Sequence, residues 1–242
     1  MVVTRTLLYE GKAKQVFQTD HPDQVVFQYK DDATAFNGEK HETFLGKGEL
    51  NNRLSAHLLQ EVARRGVPTH FIELLSPRQQ VCRNVSIIPL EVILRNRAAG
   101  SMARRLGLEE GTALQSTIVE FSYKNDDLGD PLIAAEHAVA IGITTYREIG
   151  IMERYTRRIN HILQGVFLPV GIELIDFKVE YGRTAEGEVI LADEISPDTC
   201  RLWDTTTQER LDKDRFRNNL APLLEGYQEV LRRLESSQKE NA

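Results

Sequence analysis

The run Leu174-Ile175-Asp176-Phe177-Lys178-Val179-Glu180-Tyr181-Gly182 constrains the fold more tightly than any other part of the chain. Side chains alternate faces along a strand, so Ile175, Phe177, Val179 and Tyr181 share one face while Asp176, Lys178 and Glu180 share the other. The return strand, residues 189–195, is apolar apart from Asp193 and Glu194. With Glu186-Gly187 as a two-residue turn, Ala185 pairs with Glu188, and counting outward sets Glu180 opposite Asp193. Two carboxylates about 5 Å apart across a sheet repel each other, and a divalent metal would neutralise them. Oxygen-only ligands with no Cys or His nearby favour magnesium, or manganese. The competing reading is a solvated polar face balanced by Lys178, and a different turn length removes the pairing.

The rest of the chain supplies more strands and segregated helices. Residues 7–10, 13–18 and 25–29 read as a meander, with turns at Glu10-Gly11 and His21-Pro22-Asp23. Residues 49–65 carry Leu50, Leu54, Leu58 and Val62 at helical spacing and stop at Gly66. Strands follow over 69–75, 79–85, 87–94 and 116–123, with a short helix starting at Ser101. Thr144 can cap a long helix to about residue 164, since Ile149, Met152, Tyr155, Ile159 and Leu163 lie on one face. Helices over 212–218 and 222–234 close the chain. Antiparallel strands with separate helices predict an α+β fold, divided at residues 1–85 and 86–242.

Three further clusters carry chemistry. In Pro89-Leu90-Glu91-Val92-Ile93-Leu94-Arg95-Asn96-Arg97-Ala98-Ala99-Gly100-Ser101 a strand ends in arginines, then small residues at a helix start. Free N–H groups and a bidentate arginine suit a phosphate monoester; a surface turn with solvated arginines is the alternative. Lys12 and Lys14, in Glu10-Gly11-Lys12-Ala13-Lys14, share a face and could present two ammonium groups to a triphosphate, although hairpin lysines are usually just solvated. The segment from Asp193 through Ser196-Pro197-Asp198-Thr199-Cys200-Arg201 to Asp204 brings Asp198 and Arg201 near the metal carboxylate; an ordinary proline turn is the alternative. Gly46-Lys47-Gly48 fails the Walker pattern because position 41 is His and no Ser or Thr follows Lys47. His57 and His161 read as ordinary helix histidines.

Bulk properties exclude several classes. A net charge of −6 argues against a nucleic-acid or anionic-membrane binder. Cys82 and Cys200 stand far apart, as in a reducing cytosol, and no histidine pair accompanies them as zinc would need. Residues 1–20 are too charged for a signal peptide, and no apolar run reaches the roughly 20 residues of a membrane span. The sequon Asn84-Val85-Ser86 is read as chance, and the location as cytoplasmic.

Together the motifs resemble the SAICAR synthetase family. The likeness runs through Tyr9-Glu10-Gly11-Lys12-Ala13-Lys14, Asp31-Asp32-Ala33-Thr34-Ala35-Phe36-Asn37-Gly38 and Lys47-Gly48-Glu49-Leu50-Asn51-Asn52. It continues through the stretches 89–101, 174–182 and 193–204, the first two of which match the family's signature segments. The resemblance implies a fold related to the ATP-grasp ligases, two lobes with nucleotide held between antiparallel sheets. It implies that ATP, L-aspartate and 5-amino-1-(5-phospho-ribosyl)imidazole-4-carboxylate give SAICAR, ADP and phosphate in purine synthesis. It assigns Lys12, Lys14 and Lys124 to ATP, and Glu180 and Asp193 to magnesium. Arg95, Ser101, Arg201, Arg215 and Asn37 go to the ribonucleotide, with Asp176 and Lys178 at the reacting groups. Position 37 is Asp or Asn in the family, so Asn37 implies hydrogen bonding rather than base catalysis. A homodimer is also implied. A silent nucleotide sensor would bind without releasing phosphate, and a kinase-like phosphotransferase would form ADP without aspartate; both remain alternatives.

Overall fold

The computed structural model describes residues 6–35 and 38–240. In chain order the strands and helices are β1 (Leu7–Glu10), β2 (Lys14–Gln18), β3 (Gln24–Tyr29), β4 (Asp32–Ala35), β5 (Lys40–Thr43), α1 (Lys47–Arg64), β6 (Phe71–Ser76), β7 (Gln79–Arg83), β8 (Ser86–Arg97) and α2 (Gly100–Leu106). They continue with β9 (Ala113–Tyr123), β10 (Leu132–Ile133), α3 (Ala135–Ala140), α4 (Tyr146–Phe167), β11 (Ile172–Arg183), β12 (Val189–Ala192), β13 (Cys200–Asp204), α5 (Asp214–Arg217) and α6 (Leu223–Glu240). The first sheet runs β1-β2-β3-β7-β6 and the second β10-β9-β8-β11-β12, with β13 also on β11. All of these pairings are antiparallel, and the architecture is α+β as predicted.

The main core lies where α1, α4 and α6 meet the second sheet. Leu54, Leu58, Leu59 and Val62 of α1 join Met152, Ile159 and Leu163 of α4 and Val92, Leu94, Phe177, Val179 and Tyr181 of the sheet. Helix α1 stops as the sequence suggests: Gly66 takes φ +89°, its N–H bonds Ala63 O at 3.0 Å, and the Val67 N–H bonds Val62 O at 3.2 Å. That is a Schellman stop, in which glycine avoids the Cβ penalty.

The long helix α4 is capped by Thr145 rather than Thr144, within a capping box closed by Glu148. Glu148 also accepts a bidentate pair from Arg183 at the end of β11, with Nε to Oε1 at 2.5 Å and Nη2 to Oε2 at 3.0 Å. Those hydrogen bonds pull its carboxyl down to about 2, against the effect of burial, from roughly 4.3 in the unfolded chain. Its contribution is therefore complete above about pH 4.3 and fades as pH falls towards 2. Glu148→Gln should cost about 1–3 kcal/mol at pH 7. Urea melts at descending pH should show wild type and variant converging on the acid side.

The hairpin carrying the carboxylates departs from the predicted register. Its loop is longer than two residues, Arg183 pairs with Val189, and Glu180 stands opposite Ala192, not Asp193. Strict alternation also fails at Ile175, where a bulge between Leu174 and Asp176 sends that side chain to a small cluster with Ala99 and Trp203. The β4–β5 hairpin, packed on Phe216, Leu223 and Tyr227, had no prediction, and neither did β10, α3 or β13. Strands β12 and β13 lie along the same edge of β11, so the seven residues between them, 193–199, are thrown out of the sheet.

Candidate active site

A cleft of about 600 Å³ opens between the two sheets. The β1–β2 turn with Lys12 and Lys14 lines one wall, and Glu91, Lys178 and Glu180 of the second sheet with Lys124 line the other. The ejected segment 193–199 adds Asp193, Glu194 and Asp198. Glu180 and Asp193 thus meet the same cavity, as expected, for a reason other than cross-strand pairing. Asp193 has φ +58°, a left-handed conformation uncommon for residues other than glycine but tolerated by Asp and Asn. That twist, just past the last paired residue of β12, re-aims a side chain the pleat would have put elsewhere. Buried His70 lies close to Asp193 and is held neutral by burial, which lowers it to about 4.

The charges in the cleft are interlocked. Lys14 pairs with Asp193 and, at 3.4 Å, with Glu194, and its ammonium sits 5.5 Å from the Tyr29 ring centre. Lys124 donates to Glu180 at 2.5 Å, and Lys178 donates to Glu91 at 2.7 Å and Glu180 at 3.4 Å. Lys12 meets Asp126 at 2.7 Å at the mouth. Burial would raise the Asp193 carboxyl, but Lys14, Lys178 and Lys124 outweigh it and hold the group ionised. Glu194 goes the other way, pushed up by burial and by Asp193, and its Oε2 is buried with no hydrogen-bond partner. Glu180 and Asp193 present only oxygen donors, the chemistry of a hard divalent cation.

A second cavity of about 290 Å³ adjoins the first. Arg95, Ser101, Asp176 and Arg201 line it. Asp176 is buried and occupied: it accepts Arg95 Nη1 at 2.8 Å and Arg201 Nη1 at 2.8 Å. It therefore ties the two guanidinium groups together at the edge of the cavity. Arg95 also donates to Glu120 at 2.7 Å and to Ser101 Oγ at 3.3 Å. A guanidinium has five N–H donors, so both arginines keep donors for an anion. The Gly100 N–H, expected to be open to ligand, instead donates to Glu110 at 3.0 Å. Gly100 is nevertheless needed: it takes φ +54°, and a Cβ there would overlap the Arg201 guanidinium.

Lys12, Lys14, Lys124, Lys178, Glu180 and Asp193 gather in the first cavity, and Arg95, Ser101, Asp176 and Arg201 in the second, with Lys178 lining both. Arg215 does not join them. It is buried against the backbone, donating to Pro222 O at 3.1 Å and to Arg210 O. Lys213 and Arg217, four residues apart and so on one side of α5, reach both cavities. Asn37 lies outside the described residues. Lys47, between the glycines that fail the Walker pattern, is fully buried and donates to Asp198 Oδ2 at 2.5 Å. Asn51 donates to the same oxygen at 2.8 Å, and Tyr227 to Oδ1 at 2.5 Å. Glu91, Lys178, Asp198, Thr199, Lys213 and Arg217 line both cavities and form their common wall.

Comparisons with known proteins agree on one family. A sequence profile described as SAICAR synthetase matches residues 7–234. A phosphoribosylaminoimidazole-succinocarboxamide synthase of Clostridium botulinum (strain Eklund 17B / Type B) is 57% identical over 228 residues, covering 94% of this chain and 97% of that protein. The crystal structure of the synthase of the same name from Ehrlichia chaffeensis superposes with a TM-score of 0.93 at 45% identity, covering 95% of this chain and 98% of the other. A SAICAR synthetase solved in complex with ADP gives a TM-score of 0.91 at 44% identity, covering 93% and 96%.

Proposed function

The chain belongs to the SAICAR synthetase family and is a carbon–nitrogen ligase of purine biosynthesis that uses ATP, and we propose that its two adjoining cavities hold ATP and the aminoimidazole carboxylate ribonucleotide with their reacting ends at the common wall. The shared wall is the observation that carries this reading. The larger cavity presents lysines suited to a triphosphate and, on Val16, Phe27 and Ile87, apolar surface suited to a base. The relative solved with ADP supports a nucleotide here. The smaller cavity offers Arg95, Ser101 and Arg201 to the ribonucleotide phosphate, which leaves the imidazole carboxylate free to reach Lys178. In the lobe division proposed here, residues 1–85 close over ATP, and 86–242 carry the ribonucleotide and the metal carboxylates.

A carboxylate is a poor electrophile, and an amine cannot expel oxide from it. Transfer of the γ-phosphoryl group to the imidazole carboxylate gives an acyl phosphate, whose leaving group is phosphate. The aspartate amine then attacks the carbonyl carbon. The chain contributes positioning and charge neutralisation. Glu180, Glu91 and Asp193 outweigh the effect of burial on Lys178 and keep it protonated, so it offsets charge on the transferring phosphoryl group. Magnesium, or manganese, fits Glu180 and Asp193, where the donors are all oxygen and a neighbouring buried carboxylate oxygen on Glu194 lacks a partner. When bound it would neutralise phosphate charge and orient the oxygens.

ADP release should require ATP, magnesium, ribonucleotide and aspartate together. With aspartate left out, only a single-turnover burst is expected. Sustained release without aspartate would mark a phosphotransferase, and none with all four present would mark a binding protein. Gly100→Ala should raise KM for the ribonucleotide about 10- to 100-fold through its collision with Arg201, with a smaller change in kcat in steady-state assays.

We also propose a homodimer and a cytoplasmic setting. The edge strand β6 exposes Ile72, Leu74 and Leu75, a row suited to a partner surface, which sedimentation would test. Both cysteines are buried and unpaired, and no helix among the described residues is long and apolar enough to cross a membrane.

A further inference from the structure

Amide formation needs somewhere to send a proton. The aspartate amine reaches the cleft largely as an ammonium, and its nitrogen must shed protons before and during attack. A base at this position must border both cavities, because the acyl carbon lies where they meet. It must also be able to accept a proton, which excludes any lysine whose ammonium is fixed in an ion pair.

Five lysines of the site are held in that way. Lys12 meets Asp126, Lys14 meets Asp193, Lys47 meets Asp198, Lys124 meets Glu180 and Lys178 meets Glu91. Lys213 differs in degree. It lines both cavities, its side chain is 13% exposed, and its ion pair, with Asp198 Oδ1, is a long one at 4.0 Å, beyond hydrogen-bonding distance, so no hydrogen bond fixes its ammonium. The oxygens of Asp198 are already engaged by Lys47, Asn51 and Tyr227.

Four charged groups face Lys213: Lys47 from α1, Arg217 from α5, and Asp198 and Glu194 from the ejected segment. Burial, with Lys47 and Arg217 beside it, brings the amine down to about 8, and the two carboxylates only partly oppose that. A workable fraction is therefore neutral near pH 7. The carboxylates of the wall are poorer candidates. Lys213 and Lys47 overcome the effect of burial on Asp198 and hold it well below the ordinary range, and Glu91 is tied to Lys178.

We propose that Lys213 is the base that accepts the proton of the aspartate amine as the amide forms. This role rests on the ligase reading above. The nitrogen lone pair forms the C–N bond, and the acyl C–O bond breaks with its electron pair leaving on inorganic phosphate. The ammonium loses its first proton to water before attack; the second, released as the C–N bond forms, passes to the Lys213 Nζ lone pair, and the resulting ammonium returns it to solvent after product leaves.

The test compares wild type with Lys213→Met and Lys213→Arg. The methionine keeps the volume without the amine, and the arginine keeps the charge but cannot act as a base near neutrality. Wild-type kcat should rise with pH through about 8 and then level off. Both variants should lose that rise and fall about 100-fold or more in amide formation with aspartate. Two reactions should survive in both: positional isotope exchange of labelled ATP with ribonucleotide alone, which involves no amine, and hydroxamate formation at high hydroxylamine, an amine neutral at pH 7 and nucleophilic enough to release its proton to water. Recovery of aspartate turnover by Lys213→Arg overturns the role in favour of a binding charge. Equal loss of isotope exchange and hydroxamate formation overturns it in favour of phosphoryl transfer. Wild-type protein that forms no amide at all overturns the ligase reading, and this role with it.

Discussion

Asp193→Asn is expected to lower kcat about a thousandfold while leaving the protein folded. The substitution removes one negative charge from the proposed metal seat and keeps the shape of the side chain. Asn tolerates the left-handed backbone at this position about as well as Asp does, so φ +58° persists. Lys14 keeps Glu194 as a partner at 3.4 Å, so no buried ammonium is stranded. Assays at saturating magnesium, beside a thermal melt, separate the two effects. A folded variant with near-normal turnover would remove Asp193 from the metal site.

Asp198→Ala should have the largest effect on stability, a loss of about 3–5 kcal/mol. Among the described residues its carboxylate is the counterion of Lys47, whose side chain is fully buried, and it also receives Asn51 and Tyr227. Truncation strands an ammonium and a phenol in the interior, and burying an unpaired charge costs far more than a lost contact. Pairing Lys47→Met with Asp198→Asn should recover most of the loss, because the stranded charge then disappears while an acceptor for Tyr227 remains. Urea unfolding of wild type, single and double variants checks both statements. A single variant as stable as wild type would show that water reaches Lys47.

Local chemistry was legible in the sequence wherever one strand or one turn carried it. The alternation through Phe177, Val179 and Tyr181 gave the core face, Gly66 gave a helix stop, and the lysines at 12 and 14 gave one wall of the cleft. Features set by two segments at once were not legible. The register of β11 and β12 depends on loop length, and a loop longer than two residues moved Glu180 from Asp193 to Ala192. Asp193 still reached the cleft because its backbone turns left-handed, a conformation that no side-chain pattern announces. Lys47 and Asp198 lie 151 residues apart, so neither predicts the other's burial. The Lys213 and Arg217 pair could have been found from its four-residue spacing, which sets Arg215 on the other side of α5. Resemblance to the family supplied the substrates; alternation and spacing alone reached only a phosphate cradle and a cation seat.

The most direct measurement is a crystal structure with ATP and manganese, located by its anomalous scattering. The peak should lie within about 2.0–2.3 Å of carboxylate oxygens of both Glu180 and Asp193, between the two sheets, with nucleotide phosphates completing the coordination. A peak held by other residues, or nucleotide bound outside that cleft, would contradict the placement of the reaction at the common wall.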